Sequence, residues 1–371
     1  MGETVLVTGG AGFIGRAVTR ELLSRGNRVR ILDSLVEQVH GGRARPKDLP
    51  DDAELIIDDI RNPDAVTKAL DGAGSVVHLA AEVGVGQSMY EVERYTSVNE
   101  AGSAVLFEAL IDSPVRRVVT ASSMSIYGEG LYEDADGKIV ENAERQARFS
   151  NGESWDPLDS QGRPLKPKPT PEWKRPSLTS IYALGKYVQE RQTLMMTEAY
   201  GMEGTCLRLF NVYGPGQALS NPYTGVLAIF SSRLLNGQRP MIFEDGEQRR
   251  DFVYVGDVAR AFADALVHPD AVGEVFNIGS GGNRSVKEVA CSIGRALNRN
   301  DIEPEIVGKG RVGDVRHCFC DDTKSADVLG FRAEKDFDQG IAELADWVGS
   351  QPAEDRVAKA RAELEAKGLV G

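Results

Sequence analysis

The 371 residues include 41% hydrophobic and 27% charged side chains and carry a formal net charge of −13. That is ample apolar content for one large domain or two lobes sharing a cleft, and an acid excess that argues against nucleic acid, whose phosphates need a basic face. No apolar run reaches the roughly 18 residues of a membrane span, no signal-peptide pattern leads the chain, and Cys206, Cys291, Cys318 and Cys320 do not look like a disulfide framework at this length, so no membrane contact and a reducing, cytoplasmic setting are expected.

The first element is an apolar strand, Val5-Leu6-Val7, that breaks into glycines and restarts as a helix over Arg16–Leu23. Gly10, Gly12 and Gly15 fit G-x-G-x-x-G, and Gly9, Gly12 and Gly15 fit the related G-x-x-G-x-x-G. Glycines permit the tight turn and the close approach of backbone to a pyrophosphate, and the helix start offers free N–H groups to the same anion. A second strand, Arg28–Leu32, ends at Asp33, an acid placed to accept hydrogen bonds from adenosine ribose hydroxyls and to repel a 2′-phosphate. NAD is therefore favoured, with Arg43 and Arg45 leaving an NADP reading open.

Further strands are predicted at Glu54–Ile57, Ser75–Leu79, Arg117–Ala121 and Gly204–Leu209, with a helix over Ala101–Ile111. This alternation reads as βαβ units in a doubly wound parallel sheet of the Rossmann α/β class. Residues 129–177 interrupt it with a polar, proline-rich insert, readable as an excursion over the cleft, a subunit contact or a surface loop. Helices over Ala228–Asn236, Asp257–Val267, Ser285–Leu297 and Phe337–Val348, mixed with short strands, suit a smaller α/β substrate lobe. The expected organisation is residues 1–210 for the dinucleotide-binding domain and 211–371 mainly for the lobe, with some segments returning to the first. A charged helical pattern covers Ala353–Leu369.

Tyr182 and Lys186 stand four apart, sharing a face if helical. A phenol with a pKa of about 10 needs positive charge nearby to act as a base near neutrality. Ser122-Ser123-Met124-Ser125 follows a strand, and a serine there can hydrogen-bond a reacting oxygen. Together with the glycine turn, these residues point to hydride transfer at a hydroxyl-bearing carbon. Cys318-Phe319-Cys320 lacks the further ligands a zinc site needs, and no metal is expected. His78 reads as a core or cofactor-neighbouring histidine, and His317 as a substrate contact or an exposed residue.

On these motifs, with Asp59-Ile60-Arg61, His78-Leu79-Ala80-Ala81, Asn99, Leu207–Pro215, Arg250–Val255 and Gly313-Asp314-Val315-Arg316, the chain resembles the extended short-chain dehydrogenase/reductases of the NAD-dependent sugar-nucleotide epimerase/dehydratase family. The resemblance implies cofactor contacts from Gly9, Gly12, Phe13, Ile14, Gly15, Asp33, Asp59, Ile60, Leu79, Ala80, Ala81 and Asn99. It implies Tyr182 as the acid/base and Lys186 as its partner on the nicotinamide ribose. Ser123 would be the catalytic hydroxyl and Ser125 a sugar contact. Asn211, Arg250 and Arg316 would grip the diphosphate. It also implies a homodimer through paired helices, one of them carrying Tyr182.

Relatives that dehydrate the sugar carry an Asp-Glu pair directly after the catalytic hydroxyl, where this chain has Met124 and Ser125. What remains suits 4-epimerisation of a dTDP- or UDP-linked sugar through a 4-keto intermediate. The stretch Ser122–Gly130 with its long insert is most similar to epimerases of dTDP-6-deoxyhexoses such as dTDP-L-rhamnose. A 4-reductase or dehydrogenase, a dehydratase, and a non-catalytic NAD-binding regulator are the alternatives.

Overall fold

The structure is a computed structural model that describes residues 2–145, 155–217, 225–310, 313–351 and 366–368. Seven strands form its main sheet: β1 (Thr4–Thr8), β2 (Arg28–Asp33), β3 (Glu54–Ile57), β4 (Ser75–His78), β5 (Arg117–Ser123), β6 (Glu203–Leu209) and β7 (Val275–Ile278). They lie in the order β3-β2-β1-β4-β5-β6-β7, and every pairing is parallel. The order reverses between β1 and β4, which opens a crevice at the carboxyl ends of those strands.

The apolar strands are sandwiched because successive side chains point to opposite faces. Val5, Val7, Ile31, Val77 and Val119 share one core with Val18 and Leu22 of α1 (Phe13–Ser24). Leu6, Leu32, Val76 and Val118 share the other with Val66 of α2 (Pro63–Leu70) and with Leu106, Phe107 and Leu110 of α3 (Gly102–Ile111). α4 (Ile181–Ala199) packs on β5 and β6.

A separate core joins α5 (Val226–Leu235), α7 (Val286–Ala296) and α8 (Phe337–Gly349) around Tyr213 and Phe252, whereas α6 (Val255–Ala265) packs on α1 and belongs with β7 to the sheet layers. Short strands stitch this lobe together, among them Arg249–Arg250, which pairs with both Arg284–Ser285 and His317–Cys318. α7 starts on a capping box in which Ser285 and Glu288 satisfy each other's backbone N–H groups.

The insert carries its own three-stranded antiparallel sheet, Leu131–Glu133, Ile139–Val140 and Lys166–Lys168, over a small core of Tyr132, Ala143 and Leu165. The insert's described part is thus ordered by burial, which its polar sequence concealed. The helical pattern over 353–369 falls outside the described residues apart from 366–368. Among the described residues no helix is long and apolar enough to cross a membrane.

Candidate active site

A cavity of about 720 Å³ runs along the carboxyl ends of the strands, from the glycine turn after β1 to Arg250 in the second lobe. At the turn, Gly9 has φ +68°, and a Cβ there would lie 2.8 Å from the Ala80 nitrogen. A Cβ at Gly15 would strike the Gly9 carbonyl. α1 begins at Gly12 with no side-chain cap, so its first N–H groups face the cavity without a built-in acceptor. Asp33 ends β2 beside the turn, its carboxylate accepting from the Ala11 N–H (3.0 Å) and the Leu35 N–H (2.9 Å). Asp59 is held by Arg61 at 2.7 Å, which lowers its pKa. Phe13, Ile14, Ile60, Leu79, Ala80 and Ala81 complete this end of the lining. Arg45 donates to the Pro50 and Ala53 carbonyls of its own loop. A glycine cradle that any Cβ would fill, an uncapped helix start and a carboxylate at the end of β2 together fit NAD.

The chemical centre lies where β5 meets α4. Ser180 caps α4 by accepting from the Ala183 N–H (3.1 Å), which fixes the first turn that carries Tyr182. Ser123 ends β5 and hydrogen-bonds Tyr182, while its Oγ accepts from the Ser125 N–H (3.1 Å). Burial pushes the Tyr182 phenol up, and the Ser123 hydrogen bond works against that rise. Burial lowers the Lys186 ammonium to about 8. Its Nζ donates to the Ala121 carbonyl (3.0 Å) and Gln189 Oε1 (2.9 Å), and it lines the cavity one turn from Tyr182.

The substrate end is lined by Ser125, Asn211, Gln217, Gln248 and Arg250. Ser125 Oγ, Asn211 Oδ1, Gln217 Oε1 and Gln248 Oε1 are buried, and among the described residues they have no hydrogen-bond partner. Buried polar atoms are nearly always satisfied, so four orphans in the lining of one cavity point to a polar ligand.

Two expected site residues stand elsewhere. Arg316 does not line the cavity. Its guanidinium is engaged by Asp156 (2.6 Å), Glu244 (3.0 Å) and Asp245 (2.6 Å) behind the wall, where in this structure it serves as a structural cation. Asn99 is also behind the wall: its Oδ1 accepts from the Glu82 N–H (2.7 Å) and its Nδ2 donates to the Glu82 carbonyl (3.1 Å), shaping a loop that does line the cavity. His78 and His317 are buried as well. His78 sits between Thr8 (2.7 Å) and Ser103 (2.9 Å), held neutral by burial with its pKa near 3. His317 Nδ1 accepts from the Arg249 N–H, so Nε2 carries the proton that reaches Asp156 (3.1 Å).

Sequence reasoning missed several contributors. Gln189 and Glu190 lie three and four residues after Lys186, so helical spacing could have flagged both. Glu190 receives Ser122 Oγ (2.7 Å) and pairs with Arg208 (2.7 Å), which ties α4 to β5 and β6. Gln217 and Gln248 carry no pattern that marks them.

A family model described as the NAD dependent epimerase/dehydratase family matches residues 5–148 and 160–279. The dTDP-L-rhamnose 4-epimerase of Burkholderia thailandensis is 36% identical over 359 residues, covering 94% of this chain and 96% of that protein. The crystal structure of a Thermotoga maritima UDP-glucose 4-epimerase with UDP-glucose superposes with a TM-score of 0.75 at 30% identity, covering 93% of this chain and 98% of that one. The Thermus thermophilus UDP-glucose 4-epimerase in complex with NAD gives 0.74 at 28% identity, covering 94% and 100%.

Proposed function

The chain belongs to the NAD dependent epimerase/dehydratase family, and we propose that within it the protein inverts C4 of a nucleotide-diphosphate sugar, a dTDP-linked 6-deoxyhexose such as dTDP-L-rhamnose before a UDP-hexose. The observation that carries the reading is the lining beside Tyr182. Ser123 is followed by Met124 and Ser125, so no acid pair for elimination accompanies the Ser123–Tyr182–Lys186 set. The 36% identity to a dTDP-L-rhamnose 4-epimerase supports the substrate choice.

Gly9, Gly12 and Gly15 would cradle the pyrophosphate of NAD, Asp33 the adenosine ribose, and Lys186 the nicotinamide ribose. When bound, NAD supplies a reversible hydride acceptor at the sugar carbon. Tyr182 takes the proton of the 4-hydroxyl as the carbonyl forms and gives it back as the hydroxyl is restored. Ser123 hydrogen-bonds the same oxygen and keeps the phenol aimed. The Lys186 ammonium, one turn along α4, would favour phenolate over phenol. Arg250 would hold the diphosphate and the orphan acceptors the polar edge of the nucleotide, which leaves the hexose free to present either face.

Two copies would pack through α3 and α4, where Ile111, Leu184 and Met195 are exposed. Free Cys206, Cys318 and Cys320 are buried thiols that suit the reducing cytoplasm.

The test is NMR of the products from a panel of dTDP- and UDP-sugars. C4 inversion without net change in NAD redox state is expected. No inversion with any sugar would overturn the reading, and net reduction of NAD during turnover would replace it with a dehydrogenase.

A further inference from the structure

The segment from Gly313 to Val315 forms one wall of the cavity and holds Arg250 in place. The Arg250 guanidinium donates to the Arg316 carbonyl (3.0 Å) and to the Val315 carbonyl. What fixes this segment is the insert. The Glu129 carboxylate accepts from the backbone N–H groups of Arg316 (2.8 Å) and His317 (3.2 Å) and from the Tyr132 hydroxyl (2.7 Å). The Gly130 N–H donates to the His317 carbonyl (2.8 Å).

Arg145, near the far end of the insert's small sheet, closes the arrangement. Its guanidinium pairs with Glu129 (3.1 Å) and with Glu244, and donates to the Asp314 carbonyl. Glu244 is 1% exposed and left-handed, with φ +56°. It directly follows Phe243, another cavity residue. One planar fork thus joins the insert, the turn after Met241 and the wall that holds Arg250, which a single-point ammonium could not do. Arg145 itself does not line the cavity.

We propose that Arg145 of the insert is a positioning residue for the anionic half of the substrate. It holds the Gly313–Val315 wall, and through the Val315 and Arg316 carbonyls the guanidinium of Arg250, where a nucleoside diphosphate is gripped. This rests on reading Arg250 as the diphosphate ligand. The insert is then part of the binding apparatus although it supplies none of the reacting groups.

The test uses full-length, NAD-loaded protein carrying Arg145→Met, Arg145→Lys or Glu129→Gln. For Arg145→Met, KM for the nucleotide sugar should rise about tenfold with kcat within about threefold, and Arg145→Lys should recover part of the loss. Bound NAD should be unchanged, dTDP and UDP should bind about tenfold more weakly by calorimetry, and backbone amides of residues 313–318 should exchange faster with deuterium. An unchanged KM in folded protein, or loss of NAD and kcat together with KM, would overturn the proposal. Where Arg145→Met does not fold, Arg145→Lys and Glu129→Gln carry the same readouts. If the parent binds neither dTDP nor UDP, the functional reading fails, and the exchange measurement still decides: unchanged protection at 313–318 sinks the role of Arg145.

Discussion

At the dinucleotide end of the cavity, Gly9, Ser123, Tyr182 and Lys186 sit at the ends of long buried strands or on the first turns of helices. At the substrate end, Arg250 sits on a two-residue strand beside another two-residue strand, and its neighbourhood is held by the charges of Glu129, Arg145, Asp156, Glu244, Asp245 and Arg316. The first end is placed by backbone geometry and apolar burial. The second is placed by side-chain charge across segments distant in sequence. Rigid elements fix reacting atoms closely, as transfer of hydride and proton requires. A lobe stitched by side chains would suit the proposed reaction, in which the sugar turns over between two hydride transfers.

The contrast is broken most sharply at Tyr182. Tyr182→Phe removes only the hydroxyl, so kcat should fall by about 10²–10⁴-fold while KM, thermal stability and NAD content stay near the parent values. Turnover followed by NMR, with NAD quantified after denaturation, checks it. A variant that kept full turnover would remove the chemistry from this end altogether.

The buried pair Arg208–Glu190 comes next, with side chains 7% and 2% exposed. Arg208→Met leaves the Glu190 carboxylate buried and unpaired, at a cost of about 3–5 kcal/mol in denaturant unfolding. This pair also shows that charge is not confined to the lobe. At the sheet end, however, it clamps elements already defined by pattern, and the Ser122 hydroxyl reports its reach toward the site.

Arg316→Met sharpens the same point for the lobe. Two of its carboxylate partners, Asp156 and Asp245, are more than a third exposed and screened by solvent, so the loss should be smaller, about 2–3 kcal/mol. A weaker fold accompanied by a higher KM is expected. A direct phosphate ligand would act chiefly on KM, and Arg250→Met should raise KM the more, with the smaller loss of stability that follows from its lost hydrogen bonds to the Val315 and Arg316 carbonyls.

How much of this was legible follows from the same division. The glycine turn, Asp33, the strands of the sheet and the Tyr182–Lys186 pair carry local signals: a break in an apolar run, a period of two, a spacing of four. The helices α5 to α8 lie within two residues of the predicted bounds. The diphosphate role expected of Arg316 came with the family resemblance, and nothing near it in sequence announces its ion pairs. Its carboxylates lie 160, 72 and 71 residues away in sequence, which no local pattern reveals. The insert's sheet was hidden because its strands are only two or three residues long, too short to show a period of two.

The pH profile probes the catalytic pair with a milder perturbation. Lys186 loses its proton at about 8 in the folded protein, because burial disfavours the charged form. Raising the pH through 8 therefore removes the cation beside Tyr182. Activity should fall, approaching about tenfold per unit well above that value. Lys186→Arg, which stays charged, should be slower throughout yet show no falling limb in that range. A limb that persists in Lys186→Arg would assign the titration to another group.

The smallest effect belongs to a pair on the sheet layers' surface. Arg25, just past α1, bonds Asp264 of α6 at 2.8 Å, with side chains 32% and 28% exposed. It joins the two helices on one face, much as Arg145 joins insert to lobe, but those helices already share the buried contact of Val18 and Leu22 with Val258 and Phe262. Arg25→Ala should therefore cost no more than about 1 kcal/mol, less in high salt, with kcat and KM unchanged. A loss of several kcal/mol would mean that charge, and not apolar burial, also holds the sheet layers together, and the distinction between the two ends of the cavity would fail at its better-defined side.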